Sequence, residues 1–297
     1  LRRLRRRLRL RLMRVLELFS GLGGWRCALG DRGRVLAAYD VSETANATYA
    51  LNHDFEPRAK ELATLPAQDL ADLGADTWLL SPPCQPFCRM GNHRGLSDLR
   101  SRAFRHLMDL LPQAPPDRLV VENVTGFLGS DAHALLTERL RTLGMHQLDL
   151  QACPSRFGRP NFRPRVFIVA SRKPLKPLPV PDLQPGPLAG FLDAEEDARL
   201  YLLPEVLARR HHGLDLVEPG DRRSTCFIGG YGRLFVGSGP FLKTDRGVRR
   251  FSPSEVARLL GLPAGFRFPE SLSLEARYRL LGNGLSIPVA AWALDHL

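Results

Sequence analysis

The stretch "VLELFSGLGGW", residues 15–25, decides the architecture of this chain. Val15 to Phe19 is a short, mostly apolar run, "SGLGG" breaks it, and helical character begins near Trp25. Strand, glycine turn, helix is the repeating unit of an open α/β sheet, and working outward the unit recurs. Val35 to Tyr39 is a second apolar run, closed by Asp40, and Glu43 to Leu51 has helical character. Thr77 to Leu80 reads as a strand, Ala103 to Leu111 carries apolar residues at helical spacing, and Leu119 to Val121 is a strand ending in "ENVTGF". Ala132 to Leu143 is a helix closed by Gly144, and Arg165 to Ala170 is a further strand. This alternation predicts an α/β fold with a mostly parallel sheet, whose ligands bind beyond the C-terminal ends of the strands.

The unusual residues gather at those ends. Gly21 to Gly24, Asp40, Ser81 to Cys84 and Glu122-Asn123 each follow a strand directly, and four strand ends on one rim make one crevice. The glycine turn lets a ligand approach the backbone, but Arg26 stands where the dinucleotide pattern G-x-G-x-x-G needs its last glycine. Asp40 is placed to accept hydrogen bonds from a ribose diol. Turn and acid together fit a nucleoside cofactor with no required pyrophosphate, S-adenosylmethionine being the candidate; an ordinary tight turn is the alternative.

The third strand runs into "SPPCQPF", residues 81–87. Proline fixes φ and donates no backbone hydrogen bond, so this run is neither helix interior nor central strand. It either presents Cys84 to a ligand or holds a structural cysteine beside a turn. A thiolate is a strong nucleophile that needs an electrophile, and a buried carboxyl that keeps a proton activates a heteroaromatic ring through its nitrogen. Cys84 and Glu122 therefore suggest attack on C6 of a pyrimidine, with Glu122 at N3. Arg163 and Arg165 alternate at the entry to a strand and read either as a pair holding the base's O2 or as a solvated edge.

A chain of 297 residues with 44% hydrophobic content can bury a substantial core. No apolar stretch is long enough to span a bilayer, and the five scattered cysteines form neither a disulfide framework nor a zinc motif. A reducing, cytoplasmic setting and no metal are expected. The net charge of +11 owes much to "LRRLRRRLRLRL", residues 1–12, whose seven arginines read as a disordered basic arm or as an upstream-extended start ahead of Met13. Without them 35 basic residues of the 42 face 31 acidic ones, a balance of +4 that permits an anionic partner. After Ser171, "RKPLKPLPVPDLQPGPL" is a proline-rich linker and the glycine-dotted stretch to Arg250 reads as a small separate module. Order resumes with an N-capped helix in "SPSEVARLLGLP" and a closing helix in "SIPVAAWALDHL".

The ordered set "LELFSGLGG", "SPPCQPF", "VVENVTGF", "RPNFRPRVFIVA" and "RYRLLGNGLSIPVAAW" resembles the motif series of the cytosine-5 methyltransferases, in family order and at family-like spacing. The resemblance covers roughly residues 13–171 and 251–297. It implies a Rossmann-like, S-adenosylmethionine-dependent catalytic domain over residues 13–172 and 251–297, with a small target-recognition domain at 173–250. It implies Cys84 as nucleophile, Glu122 as acid, and Arg163 and Arg165 as the basic pair contacting the base. The S-adenosylmethionine site is implied at Phe19, Leu22, Gly23, Gly24, Asp40, Val41, Glu61, Leu62 and Ser81. Asn283 and Gly284 match the loop that closes it, although the family usually has serine or alanine in place of Gly284.

Within that family the tRNA cytosine-5 methyltransferases look closest. Their pattern has glutamate at the position of Glu17, and it is matched by "PPCQPFCRMG", by "DLRSRAF" and by "CFIGGYG" at residues 226–232. Cys88 and Ile228 each stand where that branch has threonine. The resemblance implies a tRNA partner and an anticodon-loop cytosine, position 38; methylation of DNA in a modification system is the alternative. Cys88 reads as a second reactive thiol or as a loop-packing residue, Cys226 as a neighbour of the site or as core, and Arg100 as a phosphate contact or a loop anchor.

Overall fold

The computed structural model describes residues 12–88 and 95–297, so the arginine leader up to residue 11 lies outside the described part. Six strands form the main sheet: β1 Met13–Leu18, β2 Gly33–Tyr39, β3 Thr77–Leu80, β4 Arg118–Val124, β5 His146–Ala152 and β6 Arg165–Ser171, in the spatial order β2-β1-β3-β4-β6-β5. β2, β1, β3 and β4 are parallel, whereas β6 runs antiparallel to both β4 and β5. Sequence reasoning found every strand of this sheet except β5. Its residues, "HQLDLQA", are exposed or half-buried except Ala152, and apolar residues alternate with polar ones, so the strand writes no continuous apolar run.

The helices are α1 Gly24–Leu29, α2 Glu43–His53, α3 Ala67–Asp72, α4 Arg102–Leu110, α5 Asp131–Thr142, α6 Pro204–Arg210, α7 Pro253–Leu260, α8 Leu274–Gly282 and α9 Ile287–Leu294. Side chains alternate across the sheet, so each strand feeds two cores. Leu16, Leu18, Trp78, Leu80 and Val121 pack on one face with α4 and α5. Val15, Leu79, Val120 and Phe167 pack on the other with Trp25 of α1 and with Val289, Ala290 and Trp292 of α9. The expected cap of α7 is present: the Ser252 side chain accepts from Glu255 N, Glu255 returns the bond to Ser252 N, and Gly261 ends the helix at φ 82°.

The stretch read as irregular contains a second sheet, β7 Asp215–Val217, β8 Pro240–Thr244 and β9 Gly247–Arg250. Its aromatic core of Phe227, Tyr231, Phe241 and Phe251 continues into α7 and α8 through Val256, Leu259, Tyr278 and Leu281. The apolar core of this module therefore runs past Arg250. The proline-rich segment before it is strapped to the body, since Lys176 N donates to His296 O, Trp292 Nε1 to Pro179 O and Leu183 N to Arg156 O. Among the described residues no helix is long and apolar enough to cross a membrane.

Candidate active site

Where β3 ends, the proline loop is fixed from four sides. Ser81 N donates to Leu18 O, and the Trp25 indole donates to Ser81 Oγ at 2.9 Å. The buried Asn123 amide donates to Pro82 O at 3.1 Å. Phe87 N closes a 3₁₀ turn on Cys84 O at 2.9 Å, and the Phe87 ring packs edge-on against Phe127, centroids 5.1 Å apart. Gly126 admits this approach, because a Cβ there would stand 2.3 Å from Phe87 O. The prolines set the loop's shape, and β4 with the turn after it sets its position.

Glu122 ends up beside Arg165 because β6 runs backwards. Antiparallel pairing sets Val124 opposite Arg165 and Glu122 opposite Phe167, so the start of β6 meets the C-terminal end of β4 with both side chains on one face. Arg165 Nε lies 3.3 Å from Glu122 Oε1. Burial raises the Glu122 carboxyl above its ordinary range; Arg165, Arg163 and a hydrogen bond from Ser81 draw it back only in part. Glu122 thus keeps a proton more readily than an exposed glutamate. The Cys84 thiol is also pushed up, first by its hydrogen bond to Cys88 and then by burial, while Arg165 opposes the shift.

Arg163 does something the alternation argument did not foresee. It precedes β6, is 2% exposed, and its guanidinium is taken up by the protein. Nη1 donates to Cys226 Sγ at 3.1 Å and Phe227 O at 2.9 Å; Nη2 donates to Gly282 O at 2.9 Å and Gly284 O at 2.7 Å. Arg163 therefore ties the small module to the loop after α8 and builds the cavity wall, leaving Arg165 as the cation beside Glu122. Burial alone would raise the Cys226 thiol, but Arg163 and Arg165 together lower it, so this cysteine is a neighbour of the site. Arg100 is held by Asp98 through Nε at 2.8 Å and Nη2 at 2.6 Å, which makes it a loop anchor.

Cys84, Glu122, Arg163 and Arg165 line a cavity of about 370 Å³ whose other end is the glycine turn. Of the residues expected around the cofactor, Phe19, Leu22, Gly24, Asp40, Val41, Ser81, Asn283 and Gly284 line it as well. Gly23, Glu61 and Leu62 do not. Gly23 caps α1 at φ 88° with the His53 ring in the place of a Cβ; Leu62 is buried in the core; Glu61 is exposed and accepts from Ala63 N. The lining also contains Trp25 and Arg279, which sequence reasoning missed. Their place in the sequence was a signal, Trp25 directly after the glycine turn and Arg279 four residues before Asn283.

The cavity suits S-adenosylmethionine. Asp40 Oδ2 accepts from Gly21 N and Oδ1 from Ser42 N, both at 2.9 Å, which leaves each oxygen a further lone pair for a ribose hydroxyl. Val41 is 62% exposed and offers an apolar surface for a base. Ser20 lines the cavity as well, and its Oγ is buried without a protein partner. Among the described residues no cluster of His, Cys, Asp or Glu could hold a metal ion.

Below the turn lies Glu17, fully buried in β1, accepting from Tyr49 Oη at 2.9 Å. Burial lifts its carboxyl to about 8, against weaker lowering by Tyr49 and by the Arg26 and Trp25 N–H groups.

Comparison with known proteins bears on all of this. The family model of the C-5 cytosine-specific DNA methylases matches residues 13–190 and 221–296. The human tRNA (cytosine(38)-C(5))-methyltransferase is 30% identical over 94% of this chain and 97% of its own length. The protein of the same name from Schizosaccharomyces pombe is 30% identical over 96% of each. Among solved structures, the S. pombe Dnmt2 methyltransferase superposes with a TM-score of 0.86 at 28% identity, over 96% of this chain and 98% of that one.

Proposed function

Because this chain belongs to the C-5 cytosine-specific DNA methylase family, and is thus an S-adenosylmethionine-dependent cytosine-5 methyltransferase, we propose that it methylates an anticodon-loop cytosine of a tRNA, position 38. The substrate assignment draws on relatives that carry this name and match over nearly their whole length. The observation that carries the chemistry is the convergence of Cys84, Glu122 and Arg165 at one end of a cavity whose other end holds Asp40 and the glycine turn.

In this reading the Cys84 thiolate adds to C6 of the base. Glu122, whose carboxyl burial raises so that it holds a proton more readily, donates to N3 as charge develops on the ring, and Arg165, 3.3 Å away, holds the carboxyl and compensates its charge once the proton is given. C5 becomes nucleophilic; bound S-adenosylmethionine supplies an electrophilic methyl group there. Loss of the C5 proton to solvent then expels Cys84 as thiolate while N3 returns its proton to Glu122, which restores the ring and leaves the enzyme unchanged. Arg163 acts through position, fixing the wall between the module at 173–250 and the Gly282–Gly284 loop. The module itself presents exposed Arg222, Arg223 and Arg233, which suit an RNA backbone. A loop base is already unpaired and costs less to extrude than one in a duplex, a difference of roughly a few kcal/mol.

The test is radiolabelled methyl transfer to total tRNA and to unmethylated genomic DNA in parallel, with Cys84→Ala beside the wild type. Label in tRNA that maps to an anticodon-loop cytosine and vanishes with Cys84→Ala, while cofactor still binds, is the expected result. Label in DNA alone overturns the substrate assignment, and label retained by Cys84→Ala overturns the nucleophile.

A further inference from the structure

The loop that presents Cys84 carries a second thiol for which methyl transfer has no use. Cys88 follows one 3₁₀ turn later, Gln85–Phe87, and the turn folds the chain back so that the two thiols hydrogen-bond to each other. Both side chains are half-buried, neither is in a disulfide, and the Arg165 guanidinium lies near both. Arg100, held by Asp98, adds a second positive charge near Cys88. Two thiols in contact, on one short turn beside fixed cations, have the arrangement of a redox pair.

We propose that Cys84 and Cys88 are a reversible oxidation site, at which a hydroperoxide oxidises Cys88 and Cys84 closes an intramolecular disulfide that withdraws the nucleophile. In the first step the Cys88 thiolate attacks a peroxide oxygen. An S–O bond forms, the O–O bond breaks, and the leaving oxygen takes up a proton as water, or as an alcohol from an organic peroxide. Cys84 then attacks the sulfur of Cys88; the S–S bond forms, the S–O bond breaks, and hydroxide leaves with the Cys84 proton as water. The two thiols lose two electrons and the peroxide gains them. Cys88 reacts first because the hydrogen bond from Cys84 and the nearby Arg165 and Arg100 charges draw its thiol down, which raises its thiolate fraction over that of Cys84. The thiols already touch, so closing the bond requires side-chain rotation and no new fold.

The proposal rests on the reading of Cys84 as nucleophile only for its effect on activity; the bond itself is measured separately. Tryptic cleavage releases residues 61–89 as one peptide, with Cys84 and Cys88 its only cysteines. After hydrogen peroxide treatment of the full chain, that peptide should lose about 2 Da, the mass of two hydrogens, and regain it with dithiothreitol. Methyl transfer should fall and recover in step. Cys88→Thr should retain methyl transfer, show no such mass loss, and fail to recover once peroxide has inactivated it. An unchanged 61–89 peptide under peroxide that oxidises other thiols overturns the proposal, and so does a crosslink from Cys88 to Cys226. If the bond forms while activity persists, the disulfide stands and the role of Cys84 as nucleophile falls.

Discussion

Substituting Glu17 by glutamine should flatten part of the pH dependence of stability, by an amount the structure permits us to work out. Glu17 is fully buried in β1, and burial lifts its carboxyl from the ordinary 4.5 to about 8. Below about pH 4.5 folded and unfolded states both hold the proton. Between about 4.5 and 8 only the folded state does, so unfolding releases a proton and stability falls as pH rises. Each unit of pH across that window removes about 1.4 kcal/mol, or on the order of 4–5 kcal/mol over the whole window. That is a large share of a typical domain's 5–15 kcal/mol, roughly, of total stability. Glutamine keeps the shape and an acceptor for Tyr49 Oη, and it does not titrate. Urea unfolding at pH 5, 6, 7 and 8 should give a wild-type stability that declines relative to Glu17→Gln by about 1.4 kcal/mol per unit, other titrating groups cancelling in the difference. Parallel profiles for the two proteins would refute the reasoning.

Other perturbations test the site. Arg163→Lys should lower stability by about 2–4 kcal/mol, since an ammonium cannot serve the four acceptors at Cys226, Phe227, Gly282 and Gly284; urea midpoints measure the loss. Asp40→Asn should weaken S-adenosylmethionine binding about tenfold or more by calorimetry, because an amide offers one acceptor oxygen where the carboxylate offers two. Gly126→Ala should depress methyl transfer while cofactor affinity stays unchanged, since its Cβ would displace the Phe87 carbonyl and with it the Cys84 loop.

Strands buried on both faces write near-continuous apolar runs, which is why β1 to β4 and the rim they share could be read from the residues. The edge strand β5 buries too little to leave that mark. The direction of β6 is a property of the whole sheet and of no local pattern, yet it brings Arg165 to Glu122. Arg163 was legible as a basic residue near the site, but its acceptors lie 63 to 121 positions away, and three of the four are main-chain carbonyls that no side-chain pattern announces. Glu61 and Leu62, motif positions in the loop after α2, are engaged elsewhere: Glu61 accepts from Ala63 N and Leu62 packs in the core.

The grip of Arg163 on Gly282 and Gly284 also orders events in time. Those acceptors lie 119 and 121 residues downstream of the arginine. At translation rates of about 5–20 residues per second, Arg163 leads them by roughly 6–24 seconds. Throughout that interval a nascent chain already carries Cys84, Glu122 and Arg165 on a sheet able to form. It still lacks the Gly282 and Gly284 carbonyls that accept from Arg163 and complete the wall. A ribosome-bound chain of this kind would hold its reactive thiol in an open rim, a stage at which thiol-directed reagents should label Cys84 faster than they do in the finished enzyme.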